Sequence, residues 1–194
     1  MFIAFEGIDG SGKSSLSSLL RKYLEDRGWD VILTHEPQDE SLRHPSQEDA
    51  MNGFLMFYRF MADRVVHMSY MEKFLRDGKV VISDRYLLST MAYQGPQMES
   101  FFGGYQNTVQ WMNDASRPVK LMPDITFLMD ALPSVTLSRI RDKKKDAFEK
   151  EEYLTRVREY YLRCRWPNKV VIDATKSLEE CLSVVTGTID ALMS

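Results

Sequence analysis

Residues 7–14 read Gly7-Ile8-Asp9-Gly10-Ser11-Gly12-Lys13-Ser14 and carry the strongest indication of the fold in the sequence. It fits the pattern G-x-x-x-x-G-K-[ST] at every fixed position, follows a short apolar run and precedes a segment with helical spacing. In such a phosphate-binding loop, or P-loop, glycines let successive backbone N–H groups turn towards phosphate oxygens, and the next helix adds its positive dipole end. We therefore expect ATP to bind to Gly7, Ile8, Asp9, Gly10, Ser11, Gly12, Lys13, Ser14 and Ser15.

Two side chains of the loop and two residues at a later strand end predict the chemistry. Lys13 is expected to act on the β- and γ-phosphates, and the Ser14 hydroxyl is expected to bind Mg²⁺. Strand ends of an open α/β sheet face the ligand crevice, so Asp84 there could hold Mg²⁺ and Arg85 could clamp a second phosphate. An ion pair of Asp84 at a helix N-terminus is the structural alternative.

The rest of the sequence alternates strand-length apolar runs with longer helical segments. The runs cover residues 2–5, 31–33, 79–83, 125–129 and 169–172, and the helical segments cover 14–27, 54–76, 105–115, 135–143, 149–164 and 178–192. This order predicts an α/β fold of the P-loop NTPase type, with three α/β/α layers and a five-stranded parallel sheet covered by helices on both faces. We expect a single domain over residues 1–194 with a short helical lid at about residues 141–149.

Composition excludes several functional classes. The formal net charge of −3 and pI near 5.7 argue against a nucleic-acid partner, which needs a basic face. No apolar stretch reaches the roughly 18–20 residues that span a bilayer, so no membrane partner is expected. The two cysteines, Cys164 and Cys181, match no metal or redox spacing, and the N-terminus lacks signal-peptide features. We therefore expect a cytoplasmic protein.

Four motifs resemble those of the thymidylate kinase family, and the resemblance covers nearly the whole chain. Residues 5–14 (FEGIDGSGKS) resemble the family's P-loop, and residues 34–37 (THEP) resemble its Thr-Arg-Glu-Pro segment. Residues 60–64 (FMADR) resemble its Phe-x-Ala-Asp-Arg helix segment. Residues 84–95 (DRYLLSTMAYQG) resemble Asp-Arg-Tyr-x-x-Ser-x-x-Ala-Tyr-Gln-Gly, the most specific of the four. The resemblance implies an enzyme that phosphorylates dTMP with ATP and Mg²⁺, and it also implies a homodimer formed by long helices.

Carried over by position, the resemblance also implies substrate roles. Phe60 would stack on thymine, Arg64 would hydrogen-bond its edge, and Arg85 would hold the acceptor phosphate. Asp9 would contact the 3′-hydroxyl, and Tyr93 would exclude a 2′-hydroxyl. The complete predicted substrate set is Asp9, Glu36, Phe60, Arg64, Arg85, Ser89, Thr90, Tyr93 and Gln94. On helical periodicity alone, however, Phe60 would be assigned to the core.

Three positions depart from the family pattern. The arginine of Thr-Arg-Glu-Pro is His35 here, and the lid arginine of Asp-Arg-Phe/Ile-Glu is Ala147. Gly10 stands where some members carry an arginine in the P-loop. Arg43 could replace the first charge. Arg139, Arg141 and Lys143 to Lys145 are the candidates for the missing lid cation, and a small shift in lid register could place Arg141 over the γ-phosphate. The predicted catalytic set is therefore Lys13, Asp9, Arg85 and Arg141.

Two other functions remain open at the level of sequence. A kinase of the same fold could act on another deoxynucleotide or on a deoxynucleoside, with Glu36 as the base for a 5′-hydroxyl. A nucleotide-binding regulator with weak activity would explain the two lost arginines. The joint presence of Lys13, Ser14, Asp84 and Arg85 favours a working phosphotransferase.

Overall fold

Five parallel strands form one sheet in the computed structural model, which describes residues 1–140 and 151–193. The strands are β1 (Phe2–Glu6), β2 (Val31–His35), β3 (Val80–Asp84), β4 (Ile125–Asp130) and β5 (Lys169–Asp173). Their spatial order is β2-β3-β1-β4-β5, and neighbouring strands pair in parallel throughout. This confirms the predicted five-stranded parallel sheet.

Helices cover both faces of the sheet. They are α1 (Lys13–Glu25), α2 (Gln47–Ala50), α3 (Gly53–Arg76), α4 (Leu87–Phe102), α5 (Tyr105–Ala115), α6 (Pro133–Arg139), α7 (Glu151–Arg163) and α8 (Leu178–Met193). In β1, Ile3 and Phe5 belong to a core shared with α1 and α8, whereas Phe2 and Ala4 belong to a core shared with α3, α4, α5 and α7. Because both faces are buried, the central strands carry apolar residues without alternation.

Two further observations concern the helices and the first long loop. Within residues 1–140 and 151–193, no helix combines the length and the apolar character needed to cross a membrane. The polar stretch after β2 holds a 3-10 helix (Glu40–Leu42) and the short α2. These turns bring Arg43 back towards the carboxyl end of β2.

Helix α4 was not predicted from the sequence, because Gly95 and Pro96 in its interior both disfavour helix formation. Proline lacks the N–H that an interior helical position donates, so the pair is typical of a loop. The structure explains the glycine: a Cβ at Gly95 would lie 2.2 Å from the ring of Tyr160. Helix α7 packs against α4 at this point, and close packing overrides the local preference.

Candidate active site

The glycine-rich loop follows β1 directly, and its shape depends on positive backbone angles. Gly7 has φ +137° and Gly10 has φ +78°, both in regions that favour glycine. A Cβ at Gly7 would lie 2.5 Å from the carbonyl oxygen of Met129, and one at Gly10 would lie 2.5 Å from that of Thr136. The loop is therefore clamped between β4 and α6 with no room for side chains at these two points.

Lys13 folds back over the loop that precedes it. Its side chain is buried, and Nζ donates a hydrogen bond of 3.0 Å to the carbonyl oxygen of Ile8. Burial, assisted by the positive charge of Arg85, lowers the pKa of Lys13 to about 8. Bound phosphates would raise this pKa again, so the lysine is placed to respond to an anionic ligand.

Ser14, in the first turn of α1, pairs with Asp84, the last residue of β3. The Ser14 hydroxyl donates to Oδ2 of Asp84 over 2.5 Å, and the pairing of β1 with β3 fixes Asp84 beside the start of the loop. Both groups offer oxygen, the ligand atom that Mg²⁺ prefers, and Mg²⁺ usually keeps water and phosphate oxygens as its other ligands. Among the described residues, His, Cys, Asp and Glu form no cluster of three that could hold a metal ion. The oxygen atoms of Ser14 and Asp84 are the groups here that would hold a magnesium ion shared with phosphates.

Arg85 occupies the centre of the site. Its Nη1 donates to the carbonyl oxygen of Gly7 over 3.1 Å and to Oγ of Ser89 over 3.1 Å, and its Nη2 forms a close ion pair with Asp9. Burial opposes the charge, but Asp9 and other neighbours raise the pKa of Arg85 well above its ordinary value. The site therefore keeps a fixed cation beside the loop.

A cavity of about 730 Å³ opens next to the loop. All nine predicted substrate residues line it, together with Ser14 and Asp84. Phe60 is half-buried and faces this cavity, while its neighbours Phe57 and Met61 are in the core, so the periodicity argument placed Phe60 incorrectly. The guanidinium of Arg43 lies against the His35 ring, and both residues line the cavity too.

The far wall of the cavity is a buried polar cluster. Glu36 accepts from Nε and Nη2 of Arg64 at 2.8 and 2.7 Å, and its second oxygen lies 3.0 Å from Nδ1 of His67. Arg64 also donates to Oγ1 of Thr90 over 3.0 Å. The three charged or ionisable side chains are at least 93% buried, since Glu36 is 7%, His67 3% and Arg64 2% exposed. Such a cluster is held in one geometry because each buried charge needs its partner.

Gln94 and Tyr93 complete this wall from α4. Gln94 is 1% exposed, and its Oε1 has no hydrogen-bond partner within residues 1–140 and 151–193. The Tyr93 ring centre lies 5.2 Å from Cζ of Arg85. An acceptor oxygen without a partner at a cavity wall is suited to a ligand N–H group.

Sequence reasoning missed three residues of this site. Glu6, His67 and Tyr161 all bond to predicted site residues. A carboxylate at the end of the buried β1 run was a usable signal for Glu6, whereas nothing local marked the other two. The predicted lid at 141–149 and its Arg141 lie outside the described residues.

A glycine-rich anion loop, a buried lysine and a second cation facing a nucleotide-sized cavity define a P-loop phosphotransferase. A sequence model of the family "Thymidylate kinase" matches residues 5–185. The chain therefore belongs to the thymidylate kinase family, as the four motifs indicated.

Relatives support this assignment over almost the full length. A "Thymidylate kinase" of Fervidobacterium nodosum is 37% identical over 191 residues, covering 93% of both chains. A "Probable thymidylate kinase" of Methanosarcina barkeri is 36% identical over 186 residues, 91% of this chain and 89% of the relative. Another from Thermoplasma acidophilum is 32% identical over 185 residues, 94% of this chain and 92% of the relative.

Proposed function

We propose that the protein transfers the γ-phosphate of ATP to dTMP and so forms dTDP and ADP. The observation that carries this proposal is the single cavity shared by the two halves of the site. Asp9, Ser14 and Arg85 line it beside the phosphate-binding loop, while Arg64 and Gln94 line its buried far wall. A nucleotide acceptor needs this combination of a phosphate-binding end and a base-binding end.

The far wall matches the hydrogen-bonding edge of thymine. Thymine presents an N3–H donor beside the O4 acceptor. Oε1 of Gln94 would accept a hydrogen bond from N3–H. Nη1 of Arg64 would donate one to O4, because its only hydrogen bond within the described part of the chain is to Sδ of Met61 at 3.6 Å. Cytosine offers an acceptor at N3 and a donor at N4. The Gln94 oxygen would then face another acceptor, and the Arg64 N–H group would face another donor. Phe60 would stack on the base.

The sugar and phosphate of dTMP would lie between this wall and the loop. Asp9 would contact the 3′-hydroxyl, and Tyr93 would fill the space that a 2′-hydroxyl needs. Ser89 and Thr90, at the start of α4, would line the same path. Arg85 would then hold the acceptor phosphate beside the γ-phosphate.

The transfer itself needs positioning and charge neutralisation. An oxygen of the acceptor phosphate forms a bond to the γ-phosphorus, and the bond from that phosphorus to the bridging β–γ oxygen breaks, leaving the electron pair on ADP. The acceptor phosphate is mostly dianionic at neutral pH, so no general base is required. Lys13 and Arg85 neutralise the transferring group. Ser14 and Asp84 would hold Mg²⁺, which supplies further charge neutralisation when bound.

The geometry argues against the nucleoside-kinase alternative. Both carboxylate oxygens of Glu36 are engaged, one by Arg64 and one by His67. A general base needs a free lone pair directed at the substrate hydroxyl. The regulator alternative is disfavoured because Lys13 and Arg85 keep their charged groups at the loop. The catalytic role of Arg141 stays a prediction.

ADP production with a panel of acceptors tests the proposal. We expect turnover with dTMP to exceed that with dUMP, UMP, dCMP and thymidine, and to fall at least about 1,000-fold in Lys13→Ala. Lys22→Ala is the matched control, because Lys22 lies on the exposed face of the same helix and pairs with Asp26. Preference for another acceptor would overturn the assigned base contacts, and turnover that survives Lys13→Ala would overturn the role of the loop.

The proposal includes a homodimer formed through α3. One side of this helix exposes a row of apolar side chains, and Tyr58, Val66 and Tyr70 are each more than half exposed. A contiguous apolar patch of this kind is typical of an interaction site. Val66→Glu should therefore yield a monomer in sedimentation, whereas Val184→Glu, at an exposed position of α8, should not. A wild-type monomer would contradict the proposal.

Three other expectations stay predictions. They are the cytoplasmic location, with which the two free and buried cysteines are compatible, and the absence of nucleic-acid and membrane partners.

A further inference from the structure

Arg85 adopts a backbone conformation that costs energy and must be held by its surroundings. Its φ is +75°, in the left-handed region that non-glycine residues rarely occupy. The backbone N–H donates to the carbonyl oxygen of Phe5 over 2.8 Å, and the side chain reaches Gly7, Asp9 and Ser89. The position of the guanidinium thus depends on what fixes these acceptors.

Glu6 fixes one of them. Its fully buried carboxylate accepts from the backbone N–H groups of Tyr86 at 3.0 Å and Ser89 at 3.2 Å, and from the Ser89 hydroxyl in a short hydrogen bond. Ser89 has one hydroxyl hydrogen, and this bond uses it. The oxygen of Ser89 can therefore act only as an acceptor towards Arg85.

Tyr161 of α7 reaches the same point from the opposite side. Its hydroxyl lies 2.8 Å from Oγ of Ser89, 3.3 Å from the carbonyl oxygen of Gly7 and 3.4 Å from Nη1 of Arg85. Because the hydrogen of Ser89 is already used, Tyr161 is the donor in the shortest of these contacts. A chain of hydrogen bonds runs in one direction, from Arg85 through Tyr161 and Ser89 to Glu6.

We propose, on the basis of the proposed function, that Glu6 and Tyr161 are positioning residues. They orient Ser89 and Gly7 so that Arg85 presents its guanidinium to the acceptor phosphate. Neither side chain lines the cavity, so neither is placed to touch the substrate. Their effect should therefore appear in the acceptor and transfer steps and leave ATP binding unchanged.

The orientation depends on the charge of Glu6. A protonated carboxyl must donate, and the nearest oxygen to Oε2 is that of Ser89, so the chain would reverse. Tyr161 would then donate to the carbonyl oxygen of Gly7, which Arg85 also uses. Burial raises the pKa of Glu6 to about 7, although the Ser89 hydrogen bond and Arg85 oppose the shift. The ionisable or charged groups around it are Lys13 on α1, Arg64 on α3, Arg85, Tyr86 and Tyr161.

Steady-state kinetics of four proteins from pH 5.5 to 8.5 test this inference. Tyr161→Phe keeps the ring and removes the hydroxyl, so at pH 8 kcat/KM for dTMP should fall about five- to tenfold, the effect of one hydrogen bond. The KM for ATP should change less than about twofold. Tyr160→Phe is the matched control: it is the next residue of α7, and its hydroxyl donates to Glu99 over 2.7 Å, away from the loop.

Glu6→Gln gives the second, independent measurement. Glutamine mimics the protonated carboxyl at every pH, so the variant should show the reduced rate at pH 8 and should lack the wild-type rise in activity through about pH 7. The acceptor phosphate ionises near pH 6 and the pKa of Lys13 is about 8, so Glu6 is read from the slope of the profiles around pH 7, where neither of these groups has its midpoint. Calorimetric titration of dTMP and ATP into each variant confirms folding and separates binding from turnover.

The outcomes distinguish this inference from the proposed function. If the wild-type protein turns over dTMP and Tyr161→Phe has the same kcat/KM for dTMP as Tyr160→Phe, the role of Tyr161 is overturned. A Glu6→Gln profile parallel to that of the wild type would overturn the role of Glu6. Wild-type protein that prefers another acceptor would overturn the proposed function instead, and the same comparison would then be made with that acceptor.

Discussion

The phosphate-binding loop and the far wall of the cavity are built in opposite ways. The loop depends on its backbone: Gly7 and Gly10 have positive φ angles, and neighbouring carbonyl oxygens exclude any side chain at these two positions. The wall depends on the side chain of Glu36, which directly follows β2, and on side chains from α3 and α4 that form one buried cluster with it. A site built from backbone groups leaves a compact motif in the sequence. A site built from side chains depends on residues that lie far apart in the sequence.

Among changes to the backbone of the loop, the largest expected effect on activity comes from adding a single carbon at Gly7. Gly7→Ala places a Cβ 2.5 Å from the carbonyl oxygen of Met129 and strains a φ of +137°. Displacement of the loop by about 1 Å should lower kcat/KM for ATP at least about 100-fold. Gly28→Ala is the control, since φ is +87° there with nothing within 4 Å of a Cβ. It should cost about 1 kcal/mol of stability and keep activity. Normal turnover in Gly7→Ala would show that the loop is not clamped.

Removing the positive charge of Arg64 should destabilise the far wall of the cavity. Arg64→Met leaves Glu36 buried without its main partner, so the free energy of unfolding should fall by about 3–5 kcal/mol. Arg59→Met, on the same helix, removes a half-exposed pair with Asp49 and should cost about 0–1 kcal/mol. Urea denaturation at neutral pH measures both. Equal losses would mean that the cluster around Glu36 does not hold the wall.

The smallest expected effect concerns Glu6, at the junction of the two regions. Because its folded-state pKa of about 7 lies above the ordinary value of 4.5, the protonated form favours folding. This stabilisation is complete below about pH 4.5 and is lost as the pH rises through about 7. Wild-type stability should therefore fall relative to Glu6→Gln by up to about 3 kcal/mol over that range. Parallel pH profiles of unfolding free energy would contradict a buried, titrating carboxyl.

The contrast between loop and wall also explains what the sequence could predict. The strands were found because burial on both faces produces uninterrupted apolar runs, and the loop was found because its glycines serve backbone geometry. Helix α4 was missed because Gly95 and Pro96 oppose helix formation locally, and only the ring of Tyr160, 65 residues later in the chain, explains the glycine.

The site shows the same division. Substrate residues were predicted from the family resemblance, and the structure brings all nine to one cavity. Periodicity alone assigned Phe60 to the core, because helical spacing does not distinguish a core from a cavity. His67 and Tyr161 escaped because a single histidine or tyrosine on a helix has no local pattern, and its partner is set by tertiary packing.

The left-handed backbone of Arg85 has a consequence for how damage to this protein would be noticed. Glycine adopts that conformation without strain, so Arg85→Gly would relieve the backbone while deleting the cation that we propose holds the acceptor phosphate. The resulting protein should express well and melt normally, because stability and activity make opposite demands at this position. A screen that ranks variants by abundance or thermal shift would record this substitution as harmless, and only an assay of phosphate transfer would reveal the loss.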